Sequence, residues 1–125
     1  MWSFLIGIPL LMHGLAHGSG FAAAWTSTWA GFSQRAWLFS DGITLKSPLG
    51  RAFGLLWLVA MLGLAGAGLG VLFGQSWWPA LAGAVVSLVA ILPWWQAVPP
   101  GAKAGAVFDL LIVVTLLLWG ERIAQ

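Results

Sequence analysis

Four apolar runs, each long enough to cross a bilayer, fill most of this 125-residue chain. They cover Trp2–Trp25, Arg51–Phe73, Trp77–Val98 and Lys103–Gly120. A helix rises about 1.5 Å per residue and a hydrocarbon core needs about 20 mostly apolar residues to be crossed, so this spacing predicts four spanning helices. Charged residues make up 6% of the chain and mean hydropathy is +0.97. A soluble domain carries about a quarter charged residues, so a surface this poor in charge must face lipid or other apolar protein. Short joints at Gln75-Ser76 and Pro99-Pro100-Gly101 make successive helices antiparallel neighbours. The expected fold is all-α: a single up-down four-helix transmembrane domain over residues 1–125, with one long interfacial loop, Thr26–Gly50.

That loop holds Gln34, Arg35, Asp41, Lys46 and Pro48, with Trp29, Phe32, Trp37 and Phe39 as interfacial aromatics. A short interfacial helix is expected over Gly31–Phe39, a turn at Ser40-Asp41-Gly42, and the entry to the second helix at Ser47-Pro48. Trp2–Leu15 has no basic flank of the kind that precedes a signal peptide, so the first run is expected to be a retained helix. Arg35, Lys46, Arg51 and Lys103 fall on the side of the first and third loops, against Arg122 and the α-amino group on the other. Basic residues mark the cytoplasmic side, which places both termini outside.

Composition also closes off several functions. Five Lys/Arg against three Asp/Glu give a net charge of +2, but the cations are scattered and make no nucleic-acid footprint. Zero cysteines remove disulfides, thiolate nucleophiles and cysteine-ligated metals. No Ser/His/Asp nucleophile set, phosphate loop or dinucleotide fingerprint appears. The ten tryptophans fall mostly at helix ends (Trp2, Trp25, Trp77, Trp78, Trp94, Trp95, Trp119), as in an aromatic belt. Trp57, inside the second helix, is read as a packing residue.

The chemistry that remains lies inside the spans. His13 and His17 are four apart and share a helix face, and Asp109 is the one acid within a span. Ionisable groups inside a membrane face the interior of a bundle or a watery cavity. Counting residues from the predicted helix ends puts His17 and Asp109 at one depth, roughly 9–12 Å below an interface, and permits a direct or water-bridged bond between them. His13, Ser87 and Thr115 fall at a second level, roughly 16–18 Å deep. This polar stripe has three readings. It is a satisfied interior network that fixes helix register, a metal site with His13, His17 and Asp109 as candidate ligands, or a proton-linked or ligand-binding pocket. A haem held by both histidines is excluded, because one helix cannot place two imidazoles on opposite faces of the ring. Helix packing has its own candidates: Gly14 and Gly18 on the first helix, and Gly66, Gly70 and Gly74 on the second, spaced as GxxxG.

The sequence His13-Gly14-x-x-His17, then Gly20-Phe21, Ser47-Pro48-x-Gly50, Gly54-Leu55-Leu56-Trp57-Leu58 and Trp77-Trp78 resembles a family of small uncharacterised bacterial four-helix integral membrane proteins. The resemblance covers most of the chain and departs from the family pattern around Gln96–Gly105, where a proline-rich linker stands. It implies the four-helix fold and a bacterial inner-membrane location, draws attention to His13, His17 and Trp57, and carries no reaction. The expectation is a non-enzymatic accessory or interaction subunit of a larger membrane assembly, partnered by lipid and by other membrane subunits or copies of itself. The alternative is a small redox or ligand-binding membrane protein whose His13/His17/Asp109 cluster takes a metal, quinone or lipid headgroup.

Overall fold

A computed structural model describes residues 1–29, 31–33, 37–76 and 78–123. Gln34, Arg35 and Trp77 lie outside the described residues, as does the side chain of Arg122. The described chain is helical: α1 (Trp2–Ala16), α2 (Gly18–Trp25), α3 (Pro48–Leu72), α4 (Ala80–Ile91) and α5 (Pro100–Ile123), with a 3-10 turn at Leu92–Trp94. Among the described residues there is no strand, only an isolated bridge between Trp37 and Ser40. Three helical stretches, Trp2–Trp25, Pro48–Leu72 and Pro100–Trp119, are long and apolar enough to cross a membrane.

Local chemistry sets the boundaries. Ser47 caps α3: its Oγ accepts the amide hydrogen of Gly50 at 3.3 Å, and Pro48 follows at the first helical position, where a missing N–H costs nothing. The helix therefore starts three residues before Arg51. It ends in a Schellman turn in which Gly74 takes a positive φ of 79° and Gln75 N–H donates to the Gly70 carbonyl at 2.8 Å. The third apolar run makes a shorter helix than its hydropathy implies. Pro79 precedes α4 and Pro93, which has no N–H to continue the ladder, turns it into the 3-10 segment. At 12 residues, α4 is about 18 Å long, against an expected span over Trp77–Val98.

The first run breaks at His17. Its amide donates to Gly14, three residues back, rather than to His13, and Gly20 in turn bonds His17. This tightened turn strands the carbonyl of His13, and the His17 side chain takes it up, Nδ1 donating at 2.9 Å.

Helix α3 is the hub, packing on α1, α2 and α4, while α5 packs on α4. Glycine allows the closest approach. A Cβ on Gly14 would stand 2.3 Å from Ala65 N, and one on Gly68 would stand 2.5 Å from Leu11 N, so α1 and α3 touch backbone to backbone. Gly18 meets only the Met61 sulfur. The expected contact stripe at Gly66, Gly70 and Gly74 is not what packs within the chain. Gly66 has nothing within 4 Å, Gly70 meets only the Gln75 side chain, and Gly74 ends the helix.

No helix forms among the described residues of Gly31–Phe39. Gly31 instead takes a positive φ of 83° and Leu38 and Ser33 donate to the carbonyls of Pro93 and Ala97, so the loop is tied across the end of α4. It buries Phe32 and Leu45 there beside Trp57 and Trp94. Trp94 is fully buried, edge-on to Trp37 and Phe53, rather than part of a belt. A second apolar cluster, built on Leu10, Leu64, Ala84 and Ile112, fills the other end. Between the two lies a polar layer.

Candidate functional site

That layer is made by His13, His17, Ser87 and Asp109, on α1, the α1–α2 break, α4 and α5. His17, Ser87 and Asp109 are buried, and the His13 side chain is 12% exposed. Asp109 is the hub. Its Oδ1 lies 2.6 Å from His13 Nε2, its Oδ2 accepts from Ser87 Oγ, and Ser87 Oγ in turn bonds His17 Nε2. His17 Nε2 itself stands 3.8 Å from Oδ2. The direct partner of Asp109 is thus His13, and His17 reaches it through a serine rather than directly or through water. Part of the reason is where α5 begins. Starting at Pro100 instead of Lys103 puts Asp109 about 4.5 Å deeper, between the depths counted for His17 and His13, and Ser87 takes the place beside His17. Thr115 is not part of the layer and lines a separate cavity with Leu5 and Pro9.

Donors and acceptors can be assigned by elimination. A carbonyl only accepts, so His17 Nδ1 carries a hydrogen toward His13 O. A carboxylate only accepts, so His13 Nε2–H and the Ser87 hydroxyl both donate to Asp109. Ser87 has then spent its one hydrogen, and His17 Nε2 must donate to Oγ. With hydrogens on both nitrogens His17 is an imidazolium, and its charge cancels that of Asp109. One rearrangement keeps every bond: the Nε2 hydrogen moves to Ser87 while the Ser87 hydrogen moves to Asp109, leaving a neutral imidazole and a neutral acid. The layer carries no net charge in either form. A charge buried without its counterpart costs far more than a paired one, so neutrality is what lets four polar groups sit between two apolar clusters.

In both forms His13 holds its hydrogen on Nε2 and a bare lone pair on Nδ1. That nitrogen makes no hydrogen bond among the described residues. Its edge of the ring points at Gly105: a Cβ there would come within 3.2 Å of Cε1 and 3.8 Å of Nδ1. The missing side chain helps to open a cavity of about 370 Å³ walled by His13, His17, Ser19, Trp57, Ala102 and Gly105. Trp57 is its floor, held between the His17 ring at 5.6 Å and the Phe32 ring at 5.5 Å, with Gly20 giving its indole room. The packing role read for Trp57 and a lining role coincide here. Sequence reasoning passed over Gly105 and Ser19, although a glycine one turn before the one acid within the four apolar runs was a usable signal.

The candidate metal ligands can be tested on spacing. Nitrogen and oxygen atoms of His13, His17 and Asp109 lie within 4.8 Å of one another. Tetrahedral bonds of about 2.0–2.2 Å would set neighbouring ligand atoms roughly 3.3 Å apart. His13 and Asp109 stand instead at the 2.6 Å of a hydrogen bond, and Ser87 Oγ fills the gap between Asp109 and His17. The set takes a metal only after Ser87 turns away and the His13–Asp109 bond opens. No family model, curated protein or solved structure matches the chain, so geometry alone carries the functional reading.

Proposed function

We propose that the chain is a small integral membrane protein, non-enzymatic, that binds a hydrogen-bond-donating ligand in the cavity beside the His/Ser/Asp layer. The observation that carries this is His13 Nδ1, which has no hydrogen-bond partner among the described residues and lies 3.8 Å from where a Gly105 Cβ would stand, in the wall of the cavity. Every other strong polar atom of the layer is already paired, so the layer's structural needs are met without that nitrogen. A volume of about 370 Å³ falls within the range of small-molecule sites, about 300–1,000 Å³.

The membrane placement is part of the proposal. Lys46, Arg51 and Lys103 stand over the rings of Trp29, Trp25 and Trp95, all at the end of the helices where the Thr26–Ser47 loop docks. Basic and aromatic residues gathered at one end suit the cytoplasmic interface, with both termini on the far side. The interaction-subunit reading is favoured by one observation, the exposed and unoccupied Gly66 of α3, and is compatible with a ligand site.

Purification in mild detergent, followed by native mass spectrometry and metal analysis, tests the reading. A stoichiometric organic molecule on the wild type that is lost from Gly105→Leu is the expected result. A stoichiometric metal that survives Gly105→Leu and disappears in His17→Ala would replace the ligand reading with the metal one.

A further inference from the structure

A second cavity of about 330 Å³ lies on the same seam. Helices α1 and α5 keep their backbones largely apart and meet through the His13–Asp109 bond. On one side of that bond is the cavity just described. On the other is a space walled by Leu5, Pro9, Leu10, Phe108, Leu111 and Thr115, whose side chains are apolar except for the Thr115 hydroxyl. The two share the same stripe of each helix: Leu5, Pro9, His13 and Ala16 follow at helical spacing on α1, as do Gly101, Gly105, Phe108, Ile112 and Thr115 on α5. From Gly101 to Thr115 the stripe runs about 21 Å, more than the roughly 15 Å depth of one leaflet's hydrocarbon. What divides it is the His13 ring, with Phe108 edge-on at 4.7 Å. Phe108 is 36% exposed and borders the second cavity, so the partition lies at the outer face of the helices.

The two compartments differ in kind and in position. The first holds the His13 acceptor and the Ser19 hydroxyl and lies toward the loop-covered end of the helices. The second is lined by aliphatic and aromatic side chains around the Thr115 hydroxyl and lies deeper along α5. This order suits an amphiphile whose polar end lies toward the loop-covered end of the helices. We propose that the ligand is a single-chain amphiphile: a hydroxyl in the first compartment donates to His13 Nδ1, and its long apolar chain runs past Phe108 to lie between Leu5, Pro9 and Leu111. The inference rests on the ligand-binding reading and adds the chain to it. A free hydroxyl on a long chain occurs in glycerolipids and in isoprenoid alcohols or quinols, and the site asks only for the shared chemistry.

The protein in lipid nanodiscs, with nitrogen-15-labelled histidine, is titrated with 1-hexadecanol or 1-butanol, concentrations being counted as mole fraction in the bilayer so that partitioning cancels. The His13 Nδ1 resonance reports the hydroxyl. Hexadecanol is expected to act at a mole fraction about tenfold lower than butanol, equivalent to about 1.4 kcal/mol. Filling the deep compartment with Leu111→Trp, or separately with Thr115→Trp, should erase that advantage while the butanol response and the His17 resonances stay as in the wild type, the latter reporting an intact fold. Equal potency of the two alcohols, or an advantage that survives both fillings, overturns the chain site. Silence of Nδ1 toward both alcohols overturns the parent reading instead. Extraction and mass spectrometry of the co-purified molecule then separate a glycerolipid from an isoprenoid source, and a chainless occupant also refutes the inference.

Discussion

Replacing Asp109 by asparagine and by leucine gives the layer's hydrogen-bond assignment its sharpest test. Asparagine has the shape of a protonated aspartic acid. Its carbonyl oxygen can accept from His13 Nε2–H, and its amide can donate to Ser87 Oγ where the carboxyl hydrogen would. Ser87 then donates to His17 Nε2, and His17 is left a neutral imidazole that still bonds the His13 carbonyl. All four bonds survive, and the cost is one surplus amide hydrogen, at most about 1 kcal/mol on the scale of a net hydrogen bond. Leucine removes two interhelical bonds, His13–Asp109 and Ser87–Asp109. Such bonds inside membranes average about 0.6 kcal/mol and reach about 1.7, so the loss is about 1–3.5 kcal/mol, toward the upper end because His13 Nε2 is left buried without a partner. Equilibrium unfolding in mixed micelles measures both variants, and nitrogen-15 NMR reads the charge on His17. Asparagine as damaging as leucine, or a His17 that stays charged in Asp109→Asn, would refute the assignment.

Two further outcomes bear on the fold. Gly14→Ala and Gly68→Ala should each destabilise by about 1–3 kcal/mol, because the added Cβ collides with backbone across the α1–α3 contact, whereas Gly66→Ala should be neutral or slightly stabilising in the same unfolding assay. Cysteines placed at Ser40 and at Gln75 should label from opposite sides of the membrane, and labelling of both from one side would remove the spanning arrangement.

How much of this could be read from the residues varies with the range of the interaction. Ser47-Pro48 announces the start of α3 because a cap and a first-turn proline act over three residues. The polar residues could be singled out because ionisable groups are rare in such runs. Which of them touch was not legible: a shift of three residues in the start of α5, at its proline-rich joint, puts Asp109 between the depths of His17 and His13, and Ser87 in the gap to His17 settles the pairing. The glycines show the same limit. Helix α3 carries glycine on more than one face, Gly54 and Gly68 on one and Gly66 and Gly70 toward another, and spacing alone cannot say which face finds α1. The shortening of α4 was written in Pro79 and Pro93, but hydropathy, which counts prolines as weakly polar, averages over them.

The order of the residues in the polar layer matters for how the chain is made. Ribosomes deliver a protein from its N-terminus, and the only acid of the layer comes last. When Asp109 emerges, His13, His17 and Ser87 have already been made, in the first and third apolar runs. The carboxyl group therefore has its partners waiting, and α5 can be admitted as the element that completes the set. Before that moment the layer consists of two histidines and a serine, which can all be neutral. Assembly in this sequence never requires a lone charge to wait in an apolar interior, and the same sequence read backwards would.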